Sequence, residues 1–219
     1  MSSSGYADKV RELTKPTDGP VSRYLNRRLS VRITLALAKL SRPPSPDAIS
    51  VISAAVVALG GALFAAGLPW MGGLIAQLGS VLDGVDGEIA RVLGRSSKGG
   101  AFFDTMLDRL ADVALIFGVA LLALASLEPR AAAALTLLAV SGDILVSYLH
   151  GVGEKLAGVH PALIGRIPSI ASRDVRIFTI MVAGLLGLPH LGLAAVAALS
   201  YTYVVGKSLE VISYLDSRD

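Results

Sequence analysis

The 219-residue chain contains no cysteine, which excludes disulfides, thiolate metal sites and a cysteine nucleophile. Side-chain amides are nearly as scarce. Asn26 and Gln77 are the only two, a depletion of heat-labile residues that is a thermophile tendency and that an alanine-rich coding bias produces equally well. Charge is thin, with 17% Asp, Glu, Lys and Arg against about 25% in soluble domains. The net charge of +3 and its scatter argue against a nucleic-acid partner. The three histidines, His150, His160 and His190, show no metal-ligand spacing on one helix. The first residues, MSSSGYADKVRELTKPTDG, lack the apolar core of a signal peptide, so export is not expected.

What remains is grease: 53% of the residues are hydrophobic. A spanning helix needs about 20 mostly apolar residues. Six stretches are candidates, near Asp47–Leu68, Met71–Leu93, Ala101–Ser126, Arg130–His150, Val175–Leu188 and Leu191–Tyr214. Lys and Arg alternate between their connections, and the positive-inside rule then puts both termini in the cytoplasm. The expectation is an all-α integral membrane protein with six transmembrane helices, in the cell (plasma) membrane. Residues 1–44 read as a cytoplasmic segment and residues 45–219 as the membrane domain. Leu25, Leu29, Ile33 and Leu37 recur at helical spacing with arginines between them. They predict an amphipathic juxtamembrane helix, lying on the inner membrane surface or packed on its own bundle.

One stretch breaks the pattern: DGVDGEIARVLGRSSKGGAFFDTMLD, from Asp83 to Asp108. Asp83 and Asp86 are three apart and Asp104 and Asp108 four apart, so each pair shares a helix face. At about 1.5 Å per residue all four reach a similar depth below the inner interface. Close carboxylates need protons or cations to coexist, and oxygen-only ligands suit Mg²⁺ or Mn²⁺. Gly87 and Ala90 leave the helix backbone open to a ligand, and Arg91, Arg95 and Lys98 would attract phosphates. A plainer alternative pairs Asp83 or Asp86 with Arg91 inside the bundle, although ionisable residues within a membrane are usually functional.

The spacing D-x₂-D-G-x₂-A-R-x₈-G-x₃-D-x₃-D is filled by Asp83, Asp86, Gly87, Ala90, Arg91, Gly100, Asp104 and Asp108. It resembles the signature of the CDP-alcohol phosphotransferase (CDP-alcohol phosphatidyltransferase) family. The resemblance implies transfer of a phospho-alcohol from a CDP-alcohol to an acceptor hydroxyl, with release of CMP. It implies two divalent metals, Mg²⁺ or Mn²⁺, on Asp83, Asp86, Asp104 and Asp108, with Asp108 doubling as general base. Asp83, Gly87, Ala90, Arg91 and Gly100 would meet the CDP group, with Arg95 and Lys98 nearby. Homodimers are common among relatives, and one is expected here. Many relatives open the first span with Thr-Pro-Asn and a following threonine; this chain has Ser45-Pro46-Asp47 and then Ser50.

The segment KPTDGPVSRYLNRRLSVRIT resembles that preceding the bundle in archaeal di-myo-inositol phosphate phosphate synthases. That likeness implies CDP-inositol as donor and inositol 1-phosphate as acceptor, with a separate cytidylyltransferase as supplier. Lys155, Arg166, Arg173 and Arg176 are candidates for the acceptor phosphate, or else set topology. Alternatives are a phospholipid synthase using CDP-diacylglycerol or CDP-archaeol with inositol phosphate or glycerol phosphate, an intramembrane prenyltransferase, and a divalent-cation transporter.

Overall fold

The computed structural model describes residues 3–218, with side chains from residue 8 onward. All regular structure among the described residues is helical. Helix α1 (Ser3–Leu13) is followed by a π-helical turn (Ser22–Asn26) that runs into α2 (Arg27–Leu37). Six helices follow: α3 (Pro46–Ala65), α4 (Pro69–Val92), α5 (Lys98–Ala123), α6 (Pro129–Ala157), α7 (Arg173–Leu185) and α8 (Pro189–Asp216). They match the six expected stretches to within a few residues, except that α6 runs on past His150 to Ala157.

The boundaries follow from local chemistry. Pro46, Pro69, Pro129 and Pro189 open α3, α4, α6 and α8, where a missing N–H costs nothing and the fixed φ suits a first helical turn. Ser45 caps α3 by accepting from the Ala48 N–H at 3.2 Å, and Ser97 caps α5 through the Gly100 N–H at 3.0 Å. The turns Gly67-Leu68-Pro69 and Gly187-Leu188-Pro189 share one geometry. Each glycine takes a left-handed φ, 78° and 69°, that ends one helix and lets the proline start the next.

Helix α3 packs between α4 and α5, α6 lies along α8, and α7 bridges α4 and α8. Gly61 of α3 backs onto Gly118 of α5 so closely that a Cβ on Gly118 would overlap the Gly61 carbonyl. Small residues allow such backbone contact where lipid gives no hydrophobic drive for helix association. Val57, Phe64, Leu115, Val119, Ile177 and Leu193 are buried at the centre, while Ile52, Phe117, Leu137 and Leu209 are exposed outside. The bundle is apolar on both sides of its wall. Helices α3, α6 and α8 are long and apolar enough to cross a membrane. Helices α4 and α5 carry the charged motif, and α7 has 13 residues, about 20 Å.

Helix α2 docks by its polar face. Leu25 and Leu29 are exposed, and Ile33 and Leu37 pack only partly against Ile49, Val85 and Ile89. The buried face holds Asn26, Arg27, Ser30, Val31 and Thr34. The cause is Glu88 of α4, which has no exposed surface and must be compensated inside the protein. Arg27 Nη1 donates to Glu88 Oε1 at 2.7 Å, and Ser30 and Thr34 each donate to Glu88 at 2.6 Å. Arg27 also clamps both oxygens of Asp18 at 2.8 Å. Burial disfavours the Arg27 charge, but Asp18 and Glu88 outweigh it and hold the guanidinium above its ordinary pKa. The chain's two amides meet here as well, Gln77 Nε2 donating to Asn26 Oδ1 at 2.8 Å.

Glu88→Ala leaves Arg27 buried without that partner and strips the acceptor from two hydroxyls. The expected cost is about 3–5 kcal/mol, read as a large drop in the thermal unfolding midpoint in detergent. An unchanged midpoint would show that α2 is held by other contacts.

Candidate functional site

The motif occupies the end of the bundle where α4 stops and α5 begins. The Gly94 turn, φ 64°, reverses the chain and sets the two acidic faces side by side. Carboxylate oxygens of Asp83, Asp104 and Asp108 lie within 4.8 Å of one another. Asp86 is buried beside them; it accepts from Ser50 Oγ at 2.5 Å and from its neighbour's Gly87 N–H. Ser50 is thus the side chain that orients Asp86 from α3.

Arg173, the first residue of α7, is driven into this cluster. Its Nη1 lies 2.9 Å from Asp83 and 2.9 Å from Asp108, and its Nε donates to Asp112 at 2.9 Å. Asp112 also pairs with Arg109 at 3.0 Å. Arg109 of α5 and Arg176 of α7 meet Asp143 of α6 at 2.9 and 2.7 Å, so one carboxylate ties three helices. Arg176 also donates to the Ala171 carbonyl.

These three arginines pair with Asp83, Asp108, Asp112 and Asp143, and none of them pairs with Asp86 or Asp104. Asp83 Oδ1 and Asp104 Oδ1 are buried without a well-aligned hydrogen bond. An all-oxygen donor set with unsatisfied acceptors fits hard divalent cations. Asp83, Asp86, Asp104 and Asp108 supply such a set.

Two cavities flank the cluster. The first, about 180 Å³, is walled by Asp47, Asp86, Gly87, Ala90, Arg91, Arg95, Gly100 and Asp104, with Lys15 above them. Gly87 and Gly100 open it: Cβ atoms there would press on Arg91 at 3.3 Å and on Ser97 at 3.1 Å. Lys98 starts α5 and is exposed outside this wall. Arg91 pairs with neither Asp83 nor Asp86; it donates to the Leu13 carbonyl at 3.2 Å.

The second cavity, about 390 Å³, is bounded by Asp83, Arg109, Arg173 and Arg176, with Ser147, His150, Glu154 and His160 on its other walls. Of the four cations singled out for an acceptor phosphate, Arg173 and Arg176 line this space. Lys155 and Arg166 are exposed and do not. The connection bearing Arg166 is pinned by Glu210, which accepts from the Arg166 and Ile167 N–H groups at 2.5 and 2.9 Å. His150 Nε2 lies 3.0 Å from the Tyr203 hydroxyl, and its ring centroid is 4.6 Å from that of His160. His160 Nδ1 accepts from the Ala162 N–H at 3.2 Å, which leaves Nε2 to carry the proton. Burial lowers the His160 pKa; Glu154 opposes that shift and Lys15 adds to it. Sequence reasoning passed over these histidines because only the turn after α6 folds His160 back onto His150.

Residues 44–206 match the CDP-alcohol phosphatidyltransferase family, three quarters of the chain. The chain belongs to that family. Over 187 residues it is 46% identical to the "Bifunctional IPC transferase and DIPP synthase" of Rubrobacter xylanophilus, covering 83% of this chain and 40% of that protein. The protein of the same description from Archaeoglobus fulgidus is 36% identical, over 89% of this chain and 39% of its own length. This chain thus spans about two fifths of those relatives. The "Archaetidylinositol phosphate synthase" of Pyrococcus horikoshii is 32% identical over 78% of this chain and 86% of its own. In fold, the chain resembles the crystal structure of Mycobacterium tuberculosis phosphatidylinositol phosphate synthase with CDP-DAG bound. The TM-score is 0.68 at 19% identity, over 84% of this chain and 94% of that one. With three helices long and apolar enough to cross a membrane and this family, the protein is a membrane protein.

Asp143→Ala leaves Arg176 in the core with no carboxylate. The variant is expected to lose about 3–5 kcal/mol, whereas Asp143→Ala combined with Arg176→Met regains much of it. An additive double variant would separate the two residues energetically.

Proposed function

We propose that the chain transfers phospho-inositol from CDP-inositol to a hydroxyl of inositol 1-phosphate, releasing CMP. The observation that carries this is the convergence of Asp83, Asp104 and Asp108 between one cavity lined by Gly87, Ala90 and Arg91 and another lined by three arginines. The Rubrobacter and Archaeoglobus relatives, described as IPC transferases and DIPP synthases, favour this inositol pair. In the same reading residues 45–219 make six spans, both termini are cytoplasmic, and the site faces the cytoplasm at the plasma membrane. The Lys and Arg asymmetry of the connections supports that orientation. The enzyme is a homodimer in contact with membrane lipid.

The first cavity takes the donor. Arg91 and Arg95 hold its phosphates through charge-assisted hydrogen bonds, and Gly87 and Ala90 let it lie against α4. The second cavity takes the acceptor, whose phosphate faces Arg109, Arg173 and Arg176. Asp83, Asp86, Asp104 and Asp108 would hold two Mg²⁺ or Mn²⁺ ions, which would neutralise the diphosphate and stabilise charge on the departing CMP. The acceptor hydroxyl oxygen attacks the phosphorus bearing the donor alcohol, and its proton passes to Asp108. The bond from that phosphorus to the CMP oxygen breaks, and CMP leaves with the electron pair. Positioning supplies much of the acceleration.

A second reading is a phospholipid synthase, favoured by the Pyrococcus relative's description. CMP release with Mg²⁺ and inositol 1-phosphate, compared for CDP-inositol, CDP-diacylglycerol and CDP-archaeol, separates the two. Turnover of CDP-inositol to a water-soluble product is expected; turnover of a lipid donor alone would favour the phospholipid synthase. Asp108→Asn is expected to lower CMP release by about 10²–10⁴-fold with the unfolding midpoint nearly unchanged. Near-normal release would remove Asp108 as the base.

A further inference from the structure

The segment joining α1 to α2 lies outside the residues matched by the family, 44–206, yet it is fastened over both cavities. Arg91 holds the Leu13 carbonyl at 3.2 Å. The Lys15 N–H donates to Asp18 Oδ2 at 2.9 Å, and Asp18 is clamped by Arg27. The Ser22 N–H donates to Asp174 Oδ2 at 2.5 Å. Gly19 is buried against α7, where a Cβ would strike Ser172 and Asp174. The strap is thus tied to α4, α2 and α7 within ten residues.

Its placement puts one cation over the donor cavity. Lys15 lines that cavity, while Thr17, Asp18, Gly19 and Ser22 line the second one. A Cβ on Gly87 would have two neighbours, Arg91 Nη1 at 3.3 Å and Lys15 Nζ at 3.9 Å. Two cations thus converge on the bare backbone of α4 from one side. Lys15 forms no side-chain ion pair among the described residues. A diphosphate lying against Gly87 would meet both cations through charge-assisted hydrogen bonds.

We infer that Lys15 binds the diphosphate of the donor, so that the strap from Leu13 to Ser22 completes the donor cavity. This inference rests on the reading of the chain as a CDP-alcohol phosphotransferase. The strap's other end borders the acceptor cavity, so one backbone segment contacts the surroundings of both substrates. Lys15 is exposed, and its replacement leaves every anchor of the strap in place, because those anchors use backbone groups and Asp18.

The test uses the full chain in detergent, with Lys15→Ala and Lys15→Arg. Lys15→Ala is expected to raise the Kd for CDP with Mg²⁺, and the KM for the donor, about tenfold, the scale of a lost hydrogen bond to a charged group. The acceptor KM and the Mn²⁺ affinity stay unchanged, and Lys15→Arg restores most of the CDP affinity. Wild-type CDP affinity and donor KM in Lys15→Ala, with the wild-type enzyme active, overturn the Lys15 assignment alone. A wild-type chain that neither binds CDP nor releases CMP from any CDP-alcohol overturns the reading beneath it, and this inference with it.

Discussion

Carboxylates crowded at one end of an apolar bundle repel one another, and the rest of the structure is arranged around that repulsion. Asp83, Asp104 and Asp108 converge within 4.8 Å and are each partly buried, where water screens them less than at a protein surface. The Arg173 guanidinium answers part of the charge by touching Asp83, Asp108 and Asp112. Arg109 and Arg176 answer another part through Asp112 and Asp143. A buried pair contributes little net stability once desolvation is subtracted, but losing one partner is costly. These contacts are therefore better understood as fixing the relative positions of α5, α6 and α7 than as a source of stability. The charge left over is what a divalent cation would meet.

The same logic places the segment before the bundle. Glu88 sits one residue beyond Gly87 on the opposite side of α4 from the cavity, and its burial recruits Arg27, Ser30 and Thr34. That recruitment turns the polar face of α2 inward and leaves Leu25 and Leu29 outside, where an apolar surface suits lipid. Asp18, bound to the other edge of Arg27, carries the network onward to the strap beneath which both cavities lie. One buried acid thereby connects the juxtamembrane helix to the walls of the site.

Much of this was legible in the sequence. Hydropathy located the six long helices, since each apolar run is bounded by a proline or glycine that acts through local backbone geometry. The four aspartates came out at one depth because spacing along a helix converts directly to distance. What sequence could not show depends on tertiary partners. Arg173 looks like any loop cation until α7 packs against α4. Leu25, Leu29, Ile33 and Leu37 mark an apolar face, and periodicity does not say whether lipid or the bundle covers it. Asn26 and Gln77 stood out only by rarity, and the fold shows them bonded to each other. Lys155 and Arg166 resembled Arg173 and Arg176 in position along the chain, yet they end on the exposed surface.

The central claim is that the acidic cluster is a divalent-metal site set between a donor and an acceptor cavity. The most direct measurement is anomalous diffraction from crystals of the full chain grown with Mn²⁺. The account predicts two Mn²⁺ peaks coordinated by Asp83, Asp86, Asp104 and Asp108, with Arg173 drawn back from Asp83 and Asp108. A cluster without manganese at saturating concentration, with Arg173 still bridging Asp83 and Asp108, would contradict it.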